Sequence, residues 1–247
     1  MAPFTPAEWR LIHRLDTPAR VQAFLNRLPY NNEPKPAGET LRSFRDVVRR
    51  GTAHCLEAAL AAAVILEQHG YPPRVLSFES IDKLEHVLFV YRRRGKWGSV
   101  ARSRDPGLHG RKPVFRTARD LAMSYFEPYV DLTGGITAYA VVDLDNEMGA
   151  YDWRLSSKNV WKVEQMLIDF PHHALPYNRA RAERWRGWYR AFRARYPGRK
   201  PVCYPGRESW SALPAEYTRP GYAVPCPWPR TKRRACAPRW SPQASLA

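Results

Sequence analysis

Three side chains between residues 51 and 105 have the types and the order that thiol chemistry requires: Cys55, His86 and Asp105. A cysteine attacks a carbonyl carbon as its thiolate, a histidine accepts the thiol proton, and a carboxylate orients the imidazole. Ser103 is an alternative orienting group, because a hydroxyl can fix a tautomer without supplying charge. The order therefore predicts the nucleophile, base and acid of a cysteine acyl-transfer site.

A helix start must position the nucleophile. The run from Ala58 to His69 is the most helix-prone in the chain, and Gly70 followed by prolines stops it. With Thr52 as the N-cap, Cys55 falls in the first helical turn. The free N–H groups and the positive end of the helix dipole there stabilise a thiolate.

A β-hairpin must bring the base and the acid together. Strand-forming residues at 86–91 and 97–103 flank a turn centred on Arg94 and Gly95. In that register His86 lies opposite Ser103, with Asp105 diagonal to it on the same face.

Two other histidines are less suited to these roles. Adjacent residues in a helix point about 100° apart, so we expect His54 to pack or line the cleft rather than face the thiol of Cys55. His109 lies in an irregular basic loop, where a solvated surface residue is expected. Histidine and cysteine spacings typical of metal sites are absent, as are glycine-rich nucleotide motifs, so the sequence predicts no metal and no cofactor.

The sequence also resembles a protein family at these positions. The similar stretches are Ala53-His54-Cys55-Leu56-Glu57-Ala58-Ala59, His86-Val87, Trp97-Gly98 and Arg116 to Phe126. They resemble an uncharacterised bacterial set of transglutaminase-like domains, a branch of the papain-like cysteine superfamily, over residues 17–130. The resemblance implies a cysteine on a helix N-terminus, a histidine on one antiparallel strand and an acid on the next. In typical members the acid lies at the position of Ala101, earlier than Asp105.

Helical patterns flank this core on both sides. Thr5 and Thr17 each precede a proline and open an N-terminal helix. Further predicted elements are a helix at 40–50, a strand at 74–79, a helix at 117–125, a strand at 136–142, a helix from Ser156 or Ser157 to Asp169, and a basic helix at 178–196. The predicted fold class is α+β: a helical N-terminal part, the Cys55 helix packed on an antiparallel sheet, and C-terminal helices.

Basic charge is concentrated at the C-terminal end. The formal net charge is +17, and residues 177–247 carry +13 of it. Beyond Pro197 the composition shifts to Pro, Gly, Arg and Ser, so we predict one domain over residues 1–200 and a disordered basic tail over residues 201–247. The charge favours an acidic protein partner or nucleic acid, although no base-reading motif is present.

Cysteine and hydropathy patterns indicate a compartment. Cys203, Cys226 and Cys236 lack the spacing of a disulfide framework, and no apolar run reaches the roughly 18 residues of a membrane span. The N-terminus lacks the pattern of a secretory signal. We therefore expect no membrane span and a cytoplasmic location.

Two function classes remain open. The first is thiol-dependent hydrolysis or acyl transfer at an amide or ester of a peptide, protein or small molecule. Its first oxyanion donor is the backbone N–H of Cys55, and the sequence assigns no second donor. The other class is a non-catalytic binding module of the same fold, tethered by its basic C-terminal segment to an acidic partner or nucleic acid.

Overall fold

Helices and one antiparallel sheet form the part of the protein that the computed structural model describes, which is residues 3–33, 38–83, 86–220 and 222. The helices are α1 (Pro6–Arg14), α2 (Pro18–Leu25), α3 (Phe44–Arg50), α4 (Cys55–Glu67), α5 (Ala118–Met123), α6 (Phe126–Tyr129), α7 (Leu144–Met148), α8 (Trp161–Asp169) and α9 (Arg179–Arg195). The strands are β1 (Arg74–Ser80), β2 (His86–Arg93), β3 (Lys96–Val100), β4 (Arg111–Phe115), β5 (Ile136–Asp143) and β6 (His173–Ala174). The predicted α+β class is confirmed.

The sheet is open and has the strand order β4-β3-β2-β1-β5-β6, with each neighbouring pair antiparallel. The predicted hairpin register is confirmed, since Phe89 pairs with Val100. Its two-residue turn places Arg94 and Gly95 at φ of 49° and 74°, the left-handed conformation that tight hairpins need. The ladder ends at Val100, so the predicted pairing of His86 with Ser103 is not part of it.

The sheet is covered on both faces. On one face, Val75, Phe89 and Val142 belong to the same core as the buried side of α4. Every residue of α4 from 56 to 66 is buried, and a helix that is apolar on all sides must be enclosed on all sides. Accordingly α2 and α3 pack against its outer surface. On the opposite face, Leu88 packs with Tyr125 in a second core under α5.

Several predicted boundaries are wrong. The N-cap of α4 is His54 instead of Thr52, so Cys55 is the first residue of the helix. The helix predicted at residues 40–50 begins only at Phe44, after its N-cap Ser43. Strand β4 occupies part of the segment predicted to be an irregular basic loop; its proline, Pro113, is tolerated because β4 is an edge strand.

The predicted end of the ordered domain is also wrong. Tyr204, Trp210 and Leu213 are buried in a cluster with Trp185 and Trp188 of α9. The backbone of this segment joins the edge of the sheet, where the N–H of residue 211 donates to the carbonyl of residue 110 at 3.0 Å. The prediction from composition failed because aromatic rings supply most of the buried apolar area of this segment. The folded unit therefore continues past residue 200 to at least residue 220, and the tail beyond Tyr222 lies outside the described residues.

One observation bears on the compartment. Cys203 is disulfide-bonded, which the cysteine spacing did not predict, and disulfides are uncommon in a reducing cytoplasm. None of the helices in the described ranges combines the length and the apolar character needed to cross a bilayer. The cytoplasmic location stays a prediction.

The packing of the C-terminal segment can be tested by truncating Trp210. Its ring is 2% exposed and lies 4.8 Å from the guanidinium of Arg111 and 4.7 Å from that of Arg207. We expect Trp210→Ala to lower the free energy of unfolding by about 3–5 kcal/mol, the usual cost of deleting a large buried aromatic, as measured by urea denaturation. Trp161→Ala, at a ring 40% exposed on α8, should cost less than about 1 kcal/mol. Equally small losses in both variants would contradict the packing of this segment.

Candidate active site

Cys55 is the first residue of α4 and has a free thiol. The extended backbone of His54, with φ −88° and ψ −175°, turns the chain into the helix at this point. The side chain is half-buried and opens on a cleft. Its position at N1 places the sulfur beside the unpaired N–H groups and positive dipole of the helix, which favour a thiolate.

His86 provides the first imidazole contact of the sulfur. It is the first residue of β2, is 4% exposed, and shares a hydrogen bond with the side chain of Cys55. Its Nε2 lies 2.8 Å from the backbone carbonyl oxygen of Leu108. A carbonyl only accepts, so Nε2 carries the hydrogen and Nδ1 is left for the thiol. The ring also stacks parallel to Phe78, with centroids 6.5 Å apart.

The contact between Cys55 and His86 forms at the end of the sheet. Residues alternate along a strand, so His86 shares a face with Leu88, which is the face opposite α4. Cys55 begins the helix that covers the other face. His86 forms the last pair of the β1–β2 ladder with Phe78, and Cys55 is the first residue of α4, so each residue lies at an end of its element.

His54 provides a second imidazole contact, which the sequence analysis excluded. The exclusion assumed that both residues lie within the helix, whereas His54 is the extended residue before it. Its side chain hydrogen-bonds to Cys55, and its Nε2 lies 2.9 Å from the carbonyl oxygen of Thr40. Burial opposes the charged imidazole, but the hydrogen bond and negative charge of Cys55 outweigh it and raise the pKa of His54 to about 9.

The two imidazoles decide the protonation of the thiol. Burial alone would raise the pKa of Cys55, because a buried thiolate loses its hydration. The hydrogen bonds from His54 and His86, together with their positive charges, overcome this effect and bring the pKa of Cys55 well below its usual value. The arrangement can therefore hold a thiolate and an imidazolium before any substrate arrives.

A buried carboxylate holds the start of α4 in place. Glu57 is fully buried and accepts hydrogen bonds from the backbone N–H of His54 at 3.0 Å and the hydroxyl of Thr40 at 2.8 Å. It also accepts from the N–H of Arg42 at 3.1 Å and the amide of Asn31 at 3.1 Å. The same residue thus ties the two loop segments around residues 31 and 40–42 to the backbone from which His54 projects.

The structure places the two predicted orienting groups at the cleft but not on Nε2 of the base. The carboxylate of Asp105 lies 2.6 Å from Nζ of Lys200, and its backbone N–H donates to the hydroxyl of Ser103 at 3.1 Å. Within the described residues, the acceptor at His86 Nε2 is the Leu108 carbonyl instead. The base is therefore oriented by a backbone group, which no motif or spacing could have predicted.

Buried cationic and imidazole side chains support the loop that carries this carbonyl. Arg111 is fully buried and donates to the carbonyls of Gly107 at 2.6 Å and His109 at 2.7 Å, the two neighbours of Leu108. The prediction that His109 is a solvated surface residue is wrong. It is fully buried, and burial together with the charge of Arg102 holds its pKa well below the usual range.

Tyr30 is the residue of the site that sequence reasoning missed entirely. It lines the cleft beside Cys55, and its phenol interacts with the backbone and the side chain of that residue. A parallel bridge between Tyr30 and Ala53 places it there. Burial raises the pKa of Tyr30, and the nearby charge of Arg104 partly opposes this. Because Tyr30 lies in a loop rich in proline and asparagine, no periodicity or motif marked it.

The cleft has a volume of about 100 Å³ and is open to solvent on one side. Its lining includes Cys55 and His86. It also includes three carboxylates and four tyrosines, which are Asp82, Asp105, Asp131, Tyr30, Tyr129, Tyr189 and Tyr204. Tyr189 belongs to α9 and Tyr204 to the segment after it, so the C-terminal part of the chain forms one wall. In the described part of the chain, no group of side chains has the composition and geometry to hold a metal ion.

No family model matches this chain, and no curated protein matches its sequence. The transglutaminase-like resemblance accordingly remains an inference from the motifs around Cys55 and His86.

The two imidazole contacts can be tested by following the alkylation of Cys55 by iodoacetamide against pH, with the modified residue located by mass spectrometry. At pH 6 free cysteine, with a pKa of about 8.5, is less than about 1% thiolate, so Cys55 should react about tenfold faster despite the weaker nucleophilicity of a low-pKa thiolate. His86→Ala and His54→Asn should each move the midpoint of the rate profile upward. The effect of His54→Asn should appear below pH 9, where His54 is charged.

The matched control is His13→Ala, which removes an exposed imidazole from α1 and should leave the profile unchanged. A wild-type midpoint near that of free cysteine would contradict the site geometry.

Proposed function

We propose that this protein is a cysteine enzyme that hydrolyses or transfers acyl groups at an amide or ester. The observation that carries the proposal is the contact of the Cys55 sulfur with two imidazoles at the start of α4, which lowers the pKa of the thiol at the floor of an open cleft. The motifs shared with transglutaminase-like domains support the same chemistry.

The proposed reaction begins with the thiolate of Cys55. The sulfur attacks the carbonyl carbon, a C–S bond forms, and the carbonyl π pair moves to oxygen. Collapse of this tetrahedral adduct expels the amine or alcohol, which takes a proton from Nδ1 of His86. Water or a second amine then attacks the thioester while His86 accepts its proton, and the thiolate leaves.

The Leu108 carbonyl contributes orientation rather than charge. Its hydrogen bond to Nε2 keeps the Nδ1 nitrogen of His86 directed at the sulfur in both protonation states. A carboxylate in that position would add a formal negative charge next to the imidazolium. Electrostatic stabilisation of the sulfur comes instead from the cationic His54.

A second candidate function is a binding module that uses the outer surface of α9. The arginines exposed along this helix are Arg179, Arg184, Arg190, Arg193 and Arg195. Such a cationic surface favours an acidic protein or nucleic acid. This function requires no activated thiol, so Cys55→Ala would leave the binding intact while charge reversal at Arg184 and Arg190 would weaken it.

The proposed activity predicts acylation of Cys55 by p-nitrophenyl acetate. Wild-type protein should release a burst of p-nitrophenolate of about one equivalent per Cys55, followed by slower turnover. Cys55→Ala should abolish the burst, and His86→Ala should slow turnover by about 10²–10⁴-fold, the range for loss of a general base. A burst that persists in Cys55→Ala would show that another group reacts.

The orienting role of the Leu108 carbonyl predicts a small effect of Asp105→Asn on the same turnover. Removal of a carboxylate that orients a catalytic imidazole costs on the order of 10⁴-fold in an enzyme with a serine, histidine and aspartate triad. Here the carboxylate pairs with Lys200 and the Leu108 carbonyl accepts from Nε2 of His86, so we expect Asp105→Asn to lower turnover by less than about tenfold, since it removes only an exposed ion pair. A loss comparable to that of His86→Ala would instead assign the orienting role to Asp105.

A further inference from the structure

We propose that the hydroxyl of Tyr30 is the second oxyanion donor of this site, acting beside the backbone N–H of Cys55. The inference rests on the proposed acyl chemistry and assigns a donor for which that chemistry otherwise has no residue.

The position of the hydroxyl carries the argument. Any oxyanion formed by attack of Cys55 sits on a carbon bonded to the sulfur and within reach of the N–H of the same residue. Tyr30 and Cys55 line the same cleft, and the bridge from Tyr30 to Ala53 fixes the backbone of Tyr30 two residues before Cys55. The phenol interacts with the backbone and the side chain of Cys55, so the hydroxyl borders this space. A donor placed there meets the charge where it develops.

A phenol is chemically suited to the site both without substrate and after an acyl group has added to the sulfur. A hydroxyl accepts and donates at once, so without substrate it can accept from the N–H of Cys55 and donate to the thiolate. When an acyl group adds, the same O–H is available to the new oxyanion. Burial raises the pKa of Tyr30, which keeps the proton on the phenol over the range in which the thiolate exists. The guanidinium groups of Arg102 and Arg104, 5.9 and 5.8 Å from the ring centroid, polarise the phenol toward donation.

The backbone around Tyr30 is hydrogen-bonded to Ala53, in the segment that immediately precedes Cys55. Asn31 donates its N–H to the carbonyl of Ala53 at 3.1 Å, and Ala53 donates to the carbonyl of Pro29 at 3.4 Å. The side chain of Asn31 is also anchored on the buried carboxylate of Glu57 at 3.1 Å. These bonds pre-organise the donor relative to Cys55, which is what makes such donors effective.

The test compares two reactions of one sulfur in Tyr30→Phe. Acylation by p-nitrophenyl acetate passes through an oxyanion, whereas alkylation by iodoacetamide displaces iodide at a saturated carbon and forms none. Both rates are measured on the alkaline plateau of the alkylation profile, where the thiol is fully ionised. We expect the ratio of acylation to alkylation to fall by about 10²-fold, the loss found when one oxyanion donor is removed.

The matched control is Tyr71→Phe. Tyr71 follows the opposite end of α4, and its substitution should leave the ratio unchanged. An unfolded Cys55 is an exposed thiolate that reacts with both reagents, so the ratio is compared only for variants whose urea denaturation shows a folded population equal to that of the wild type. An unchanged ratio in folded Tyr30→Phe counts against the proposal.

The outcomes separate this inference from the proposed function. A low midpoint of alkylation in wild-type protein together with an unchanged ratio in Tyr30→Phe would overturn the role of Tyr30 alone. A higher ratio in Tyr30→Phe would also overturn it, because the hydroxyl would then obstruct the oxyanion position. A wild-type Cys55 that titrates like free cysteine would overturn the proposed function and this role with it.

Discussion

A thiolate at the start of α4 needs compensating positive charge, because the half-buried sulfur of Cys55 has lost much of its hydration. The helix dipole supplies part of that charge but acts only over the first turn. The imidazoles of His54 and His86 supply the rest, and they approach the sulfur from two unrelated parts of the chain. Most other features of this region hold these three groups together.

Each imidazole is held by buried hydrogen bonds that do not themselves touch the sulfur. His54 projects from a backbone fixed by the carboxylate of Glu57, which also binds the flanking loops. His86 is held by the Leu108 carbonyl, and Arg111 fixes the carbonyls on either side of it. The two networks contain the buried charged groups of Glu57 and Arg111. Deforming either network is costly, because it would leave one of these charges unpaired and out of water.

The sequence was informative wherever local chemistry determines structure. The hairpin register followed from the turn at Arg94 and Gly95, because a two-residue turn of this kind fixes the pairing of both strands. The place of Cys55 at a helix start followed from propensity and from the stop at Gly70. Together these two elements predicted that a cysteine and a histidine would converge.

The remainder of the site depends on interactions that no local pattern encodes. The contact of His54 with the sulfur depends on a one-residue shift of the helix start, which is within the uncertainty of any boundary prediction. The acceptor for His86 is a main-chain carbonyl, a group that every residue carries and that sequence cannot distinguish. Tyr30 reaches the sulfur through a bridge between segments that are more than twenty residues apart, as Tyr30 and Ala53 show. Such contacts belong to tertiary structure alone.

The use of a main-chain carbonyl to orient the base has a structural consequence for the cleft. It leaves the carboxylate of Asp105 available to pair with Lys200, in the segment that follows α9. The same segment contributes Tyr204 to the cleft wall and buries Trp210 against Arg111, the residue that fixes the loop of Leu108. The C-terminal segment is therefore coupled to the base through a short series of contacts. The ring of Trp210 contacts the guanidinium of Arg111, which fixes the loop whose Leu108 carbonyl accepts from the imidazole of His86. A segment whose composition suggested a solvated appendage thus helps to determine where the imidazole of His86 points.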